Sequence, residues 1–256
     1  MTMDEAMAQV QRKAAQGGAK NPNFNGTLHS ELHLVLQTRH AQLLVRGRMV
    51  KGKPLIAGLL AFADRSRLVW QAAAEDDPYA DWFLVQIHEA MSAAEARMET
   101  EMKRLNVQLS STRTFHVAPA EVKEPFRMAL RFSTPYAYRA ARMLGQFDEL
   151  VCQAFTAKQI GVLNSEQCMH IVRACARRIR GVFGLPNRFR RLGITRATVQ
   201  DTHPLFQRAE ELMGVLPSDV LKGERRAPLA RSLKTAHLQQ IPPVTHEDLN
   251  DNTVFE

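Results

Sequence analysis

Phe126-Arg127-Met128-Ala129-Leu130-Arg131-Phe132 alternates without a break. Successive side chains of a strand point to opposite faces, so Phe126, Met128, Leu130 and Phe132 share one side. Arg127, Ala129 and Arg131 share the other. The first side calls for a core. The second offers two guanidinium groups flanking a methyl. Thr134-Pro135 then opens a helical pattern, with Thr placed to cap and Pro in the first turn. Its apolar stripe is Tyr136, Ala140, Leu144, Phe147, Val151, Ala154 and Phe155, and the pattern predicts a helix over 135–159. Gly161 stops it. Asn164-Ser165 opens a second helix, to about Phe183, with Cys168, Ile171, Val172, Cys175, Ile179 and Val182 as its buried stripe. Gly184 and Pro186 end that one.

Strand, helix, helix with a basic outward strand face is the element order of a ribbon-helix-helix DNA reader. Such proteins pair two strands into a ribbon that fits the major groove. The charge distribution agrees. The formal charge is +8 and the pI about 9.7, which points to a polyanionic partner. Residues 123–194 contain thirteen basic and four acidic residues, so this segment alone holds about +9 and the rest of the chain is near neutral. Most of these cations are arginines, the better fork for phosphate and guanine.

Working outward, residues 28–36 alternate again: Leu28, Leu32, Leu34 and Leu36 against His29, Glu31, His33 and Val35. This predicts a first strand, which could pair with 126–132 inside one chain and so make the ribbon intramolecular. A short helix from about Arg39 to Val45 and a polar loop from Arg46 to Pro54 follow. Residues 55–74 read as a helix. Asp77-Pro78 then begins a long amphipathic helix running to about Leu109 through Trp82, Phe83, Ile87, Met91, Met98, Met102 and Leu105. A further helix is expected at 205–213.

The composition is that of a globular chain, with 45% hydrophobic and 23% charged residues. No apolar run approaches the ~20 residues of a membrane span, and the first twenty residues lack a signal-peptide core. A cytoplasmic protein without membrane contact is expected. Three scattered cysteines do not make a disulfide framework.

The candidate base contacts are Arg127, Ala129 and Arg131. Asn164 and Ser165, at the start of the second helix, are candidate phosphate contacts, because a helix N-terminus offers free N–H groups. Arg173, Arg177 and Arg180 are spaced i, i+4, i+7 on one helix side, flanked by Arg178, and no acid intervenes before Arg191. Arg188, Arg190 and Arg191 surround Phe189. All seven arginines are candidate phosphate contacts. Asp76, Asp77 and Asp81 read as helix N-terminal acids rather than metal ligands. Cys168 and Cys175 read as buried thiols, and His29 and His33 as strand surface. No metal and no cofactor are expected. A Gly-rich phosphate loop, a nucleophile elbow and an HExxH motif are all missing, so an enzyme is not expected.

Four stretches carry a family resemblance: Ala74-Glu-Asp-Asp-Pro-Tyr-Ala-Asp-Trp82, Pro135-Tyr-Ala-Tyr-Arg-Ala-Ala141, Phe147-Asp-Glu-Leu-Val151 and Arg191-Leu-Gly-Ile-Thr-Arg196. They resemble proteins carried by integrating conjugative elements and are similar to the AcaB-like transcriptional regulators of conjugative plasmids, over roughly residues 27–228. The resemblance implies a ribbon-helix-helix-like DNA-binding regulator that promotes conjugative transfer.

The expected architecture is mainly α with a small β component, a ribbon-helix-helix-like core at 123–184 and long accessory helices. Residues 1–26 would be a flexible N-terminus, 27–222 a single domain and 223–256 a polar tail. The expected function is sequence-specific binding of double-stranded DNA by a homodimer that activates conjugative-transfer genes. Other proteins of the element are a further partner class. The alternative is an interaction factor of a conjugative element without sequence-specific DNA binding. It would leave Met91, Met98 and Met102 as an exposed docking patch, whereas a structural helix would bury them.

Overall fold

A computed structural model describes residues 32–50, 53–110, 123–198 and 204–233. The expectations for 1–31 and for the chain after 233 fall outside these residues. Elements run in the order β1 (Leu32–Leu36), α1 (Arg39–Arg46), β2 (Arg48–Val50), β3 (Lys53–Ile56), α2 (Leu59–Ala74), α3 (Pro78–Ser110), β4 (Phe126–Leu130), α4 (Pro135–Gln159) and α5 (Ser165–Gly184). Two 3-10 turns, Leu185–Arg188 and Arg196–Thr198, lead to α6 (Pro204–Met213) and α7 (Ser218–Leu221). The chain is mainly helical with a small β component.

The centre is a layer of α2, α3, α4 and α5 packed on one another. In α3, Leu84, Ile87, Met91, Ala94, Met98 and Leu105 are all buried. Their spacing of three and four residues lays one seam along the helix. Glu101 falls in the same seam and is also buried, held by Arg97 one turn back. Facing this seam, α4 buries Tyr136, Ala140, Leu144, Phe147, Val151 and Ala154, and α5 buries Ile171, Val172, Ile179 and Phe183. Each of the large apolar side chains among these (Leu, Ile, Val, Phe or Met) contributes about 1.5–3 kcal/mol by leaving water.

Local signals set the helix ends. The Thr134 hydroxyl accepts the Ala137 N–H at 3.2 Å, and Asp77 accepts the Ala80 N–H at 3.1 Å. Asn164 and Gln167 form a reciprocal capping box at 2.8 and 3.0 Å. Between α2 and α3, Asp76 adopts a left-handed backbone, φ 65°, a conformation Asp tolerates better than most side chains.

Three differences from the sequence reading stand out. β4 ends at Leu130, short of the expected 126–132, and pairs antiparallel with β1 of the same chain, the intramolecular arrangement that the sequence left open, so its partner lies outside the expected 123–184 core. The region read as a polar loop, with the start of the helix expected from 55, instead contains the antiparallel pair β2–β3. Two short strands, one containing Pro54, leave too little alternation to be recognised. Backbones nearly touch where this hairpin begins and ends. A Cβ on Gly47 would lie 2.3 Å from the Ile56 carbonyl oxygen, and one on Gly58 2.4 Å from the Gly47 nitrogen. Only glycine fits both places, and Gly47 also has a positive φ of 69°. Third, residues 224–233, expected to belong to the tail, lie against α2 and α3. The Trp70 indole N–H donates to the Leu229 carbonyl at 2.9 Å, and Ala227 is buried.

Candidate nucleic-acid interface

β1 and β4 form a two-stranded antiparallel ribbon in which Leu32 faces Leu130, His33 faces Ala129, Leu34 faces Met128, Val35 faces Arg127 and Leu36 faces Phe126. Directly opposed residues share a face. One face therefore holds Leu34 and Leu36, both buried, with Phe126, Met128 and Leu130 packed against the core. The other holds His33, Val35, Arg127 and Ala129, all exposed, and Arg131, just past the strand, is exposed as well. The sequence reading selected Arg127, Ala129 and Arg131. It missed His33 and Val35 as members of the same face. Their alternation was visible and a pairing with 126–132 was left open, but the register that sets them beside Ala129 and Arg127 was not visible.

Both ends of the ribbon are fixed to α4. Asp148 is buried and accepts from the Gln37 and Thr38 N–H groups at 2.6 and 2.8 Å and from the Thr38 hydroxyl at 2.6 Å. Thr38 in turn caps α1, so one carboxylate locks the β1–α1 corner. At the other end the Phe132 N–H donates to the Tyr138 hydroxyl at 3.2 Å, with the two rings edge-on at 5.5 Å.

Packed on α4 is α5, whose apolar stripe is buried. Arg173, Arg177, Arg178 and Arg180 are exposed, and among the described residues none of them has a carboxylate at ion-pair distance. Four unpaired arginines within eight residues repel one another and raise a local positive potential. At the start of α5, Asn164 and Ser165 are exposed. The Asn164 side-chain oxygen is occupied in the capping box, which leaves its amide nitrogen, together with the Ser165 hydroxyl, as donors. Cys168 and Cys175 are buried under the helix, and burial is the first cause that pushes both thiols up.

The three arginines around Phe189 separate. Arg188 is exposed. Arg190 folds back, donating to the Asn187 and Phe189 carbonyls at 2.7 and 3.0 Å. Arg191 pairs with Glu75. Phe189 itself is buried, edge-on to Phe83 at 5.7 Å, so it is no stacking platform.

A second set of arginines went unnoticed in the sequence. Arg196 pairs with Asp76 and, at 2.7 Å, with the buried Asp81. It also donates to the Leu221 and Val220 carbonyls at 3.0 and 2.9 Å. Arg226 donates to the same Asp81 at 2.8 Å and to the Ala73 carbonyl at 3.1 Å. Arg225 pairs with Glu89 and lies over the Trp82 ring, and Arg231 lies over Trp70. Asp76 and Asp81 are thus anchors for the C-terminal part of the domain as well as acids near a helix N-terminus. Among the described residues, no helix is long and apolar enough to cross a membrane.

The transcriptional regulator AcaB family model matches residues 24–234. Among solved structures, selenomethionine-containing AcaB from uropathogenic E. coli is similar in fold, with a TM-score of 0.52 and 14% identity over 79% of this chain and 98% of that one. Among curated proteins, none matches the sequence. Since the family model spans most of its length, the chain belongs to the AcaB family of transcriptional regulators.

Proposed function

We propose that this regulator binds double-stranded DNA sequence-specifically and activates conjugative-transfer genes, acting in the cytoplasm as a homodimer. The observation that carries the reading is the β1–β4 ribbon. Its outward face presents His33, Val35, Arg127 and Ala129, and neither Arg127 nor Arg131 is ion-paired among the described residues. A two-stranded ribbon fits the major groove. Arg bidentate to guanine discriminates by roughly 1–3 kcal/mol, and a small apolar group beside it can meet a thymine methyl. The ribbon-helix-helix comparison carries over in element order, β4 then α4 then α5, but here β1 supplies a second strand within the chain. The other edge of β4 has no strand partner among the described residues, which leaves it open to a second copy.

In this reading Asn164, Ser165, Arg173, Arg177, Arg178, Arg180 and Arg188 contact phosphates, which position the protein without reading sequence. Arg190 and Arg191 make only minor contributions, because other bonds already hold them. The competing reading, α3 as a docking helix, loses its support because Met91 and Met98 are buried and Met102 packs on the core.

The test is a gel shift with promoter fragments of a conjugative element, comparing wild type with the Arg127→Ala/Arg131→Ala double variant. The expected result is loss of specific binding with an unchanged melting curve. Specific affinity equal to wild type would remove the ribbon from the reading.

A further inference from the structure

The arginine stripe of α5 has no carboxylate at ion-pair distance among the described residues, yet the sequence holds a group of acids later in the chain. After Lys234 no Lys or Arg occurs, while residues 247–256 contain Glu247, Asp248, Asp251 and Glu256, interspersed with Leu249, Val254 and Phe255. The family match ends at residue 234, before this segment. We propose that residues 247–256 dock on the Arg173–Arg177–Arg180 face of α5 and compete there with nucleic-acid phosphates.

Three observations support this occupant. The charges are complementary and concentrated on both sides. The sizes match: Arg173 to Arg180 spans about 10 Å of helix at 1.5 Å per residue, and Glu247 to Asp251 spans about 13 Å if extended. The reach suffices as well. The described chain ends at Leu233, just after Arg231 lies over Trp70 of α2, and α2 packs on α5. The thirteen residues 234–246 can extend to roughly 45 Å. Tethering raises the effective concentration of the segment to the millimolar range, so weak exposed ion pairs are enough to hold it. A free acidic peptide or a second copy would lack that advantage.

Docking itself is independent of the DNA reading; only the competition rests on it, and the experiment separates the two. A spin label is placed on full-length protein through Thr253→Cys, since native Cys152, Cys168 and Cys175 are all buried. Amide resonances of residues 173–180 should broaden at about 0.05 M salt and recover at about 0.5 M, where charges are screened within a few ångström. The same resonances should stay sharp in the E247Q/D248N/D251N/E256Q background. Equal broadening in both backgrounds, or none in either, overturns docking.

In the second arm, fluorescence anisotropy with duplex DNA compares wild type with the neutralised chain. Neutralisation should tighten binding about tenfold, the worth of a few exposed ion pairs. Unchanged affinity overturns competition. If neither chain binds DNA while α5 still broadens, the DNA reading fails and the docking stands.

Discussion

Arg196 and Arg226 do different work from Arg173, Arg177 and Arg180. The first two are largely buried, with 15% and 23% of the side chain exposed, and converge on Asp81, which is fully buried. The other three stand in solvent with no acid at ion-pair distance among the described residues. An arginine whose carboxylates and carbonyls are supplied by its own chain is a strut. One left without them keeps its donors for an outside anion. Net charge alone, +8 for the whole chain, cannot sort the two classes; pairing does.

The largest effect that could break this division comes from Asp81. Replacing it by Ala leaves two guanidinium groups without the carboxylate they share, and removing one partner of a buried pair costs about 3–5 kcal/mol. Urea denaturation of Asp81→Ala should show that loss, and hydrogen exchange should rise across 220–233, the segment these arginines fasten. A loss below about 1 kcal/mol would make the struts ordinary surface pairs.

The neighbouring acid sharpens the contrast. Asp77 lies in the same turn, but no arginine hydrogen-bonds to its carboxylate among the described residues. Burial raises its pKa from 3.8 to about 6, against the pull of the Ala80 and Tyr79 N–H groups. Below about pH 4 the carboxyl is protonated in both folded and unfolded chains and costs nothing. Between about pH 4 and 6 the unfolded chain releases its proton first, so stability falls as pH rises. Above about pH 6 the loss is constant, at most about 3 kcal/mol. Asp77→Asn keeps an oxygen for the Ala80 N–H and has no charge to bury. Its stability advantage over wild type should grow from pH 4 to 6 and then level off. Parallel stability profiles would show that Asp77 ionises freely.

On the exposed side, Arg173→Ala/Arg177→Ala/Arg180→Ala should leave stability within about 0.5 kcal/mol, as exposed substitutions do. The slope of log K against log salt for duplex DNA should become shallower by about 0.9 for each phosphate that is no longer neutralised. An unchanged slope would return the stripe to a solvated face.

Much of this was legible along the chain because the signals are local. Thr134-Pro135, Gly161 and Asn164 mark the ends of α4 and the start of α5, and the structure places the helices at Pro135–Gln159 and Ser165–Gly184. Period-two alternation found both ribbon strands. The pairing of these strands with each other was one of two arrangements the sequence left open, and the register was not legible, because about ninety residues separate Leu36 from Phe126, and alternation says which face is apolar but not what lies beside it. The struts were hidden for the same reason: Arg196 and Asp81 are 115 positions apart, and Arg226 and Asp81 are 145 apart. The β2–β3 hairpin was hidden by brevity, and its glycines became informative only once two stretches of backbone were seen to touch.

Arg191 sits on the boundary between the two classes and gives the smallest, most discriminating effect. Its sequence context, beside Arg188 and Arg190, suggests a phosphate contact, yet it pairs with Glu75. Both partners are about half exposed, 54% and 41% of the side chain, so the pair adds little to stability. Glu75→Gln should therefore change the urea midpoint hardly at all. It should nevertheless release Arg191 toward a polyanion. Duplex DNA affinity should then rise about twofold at low salt, with a salt slope steeper by up to about 0.9. Adding Arg191→Ala should cancel the gain. If Glu75→Gln changes neither quantity, Arg191 points away from any phosphate path. It would then be a weak strut, and the boundary between the classes would fall between Arg188 and Arg191.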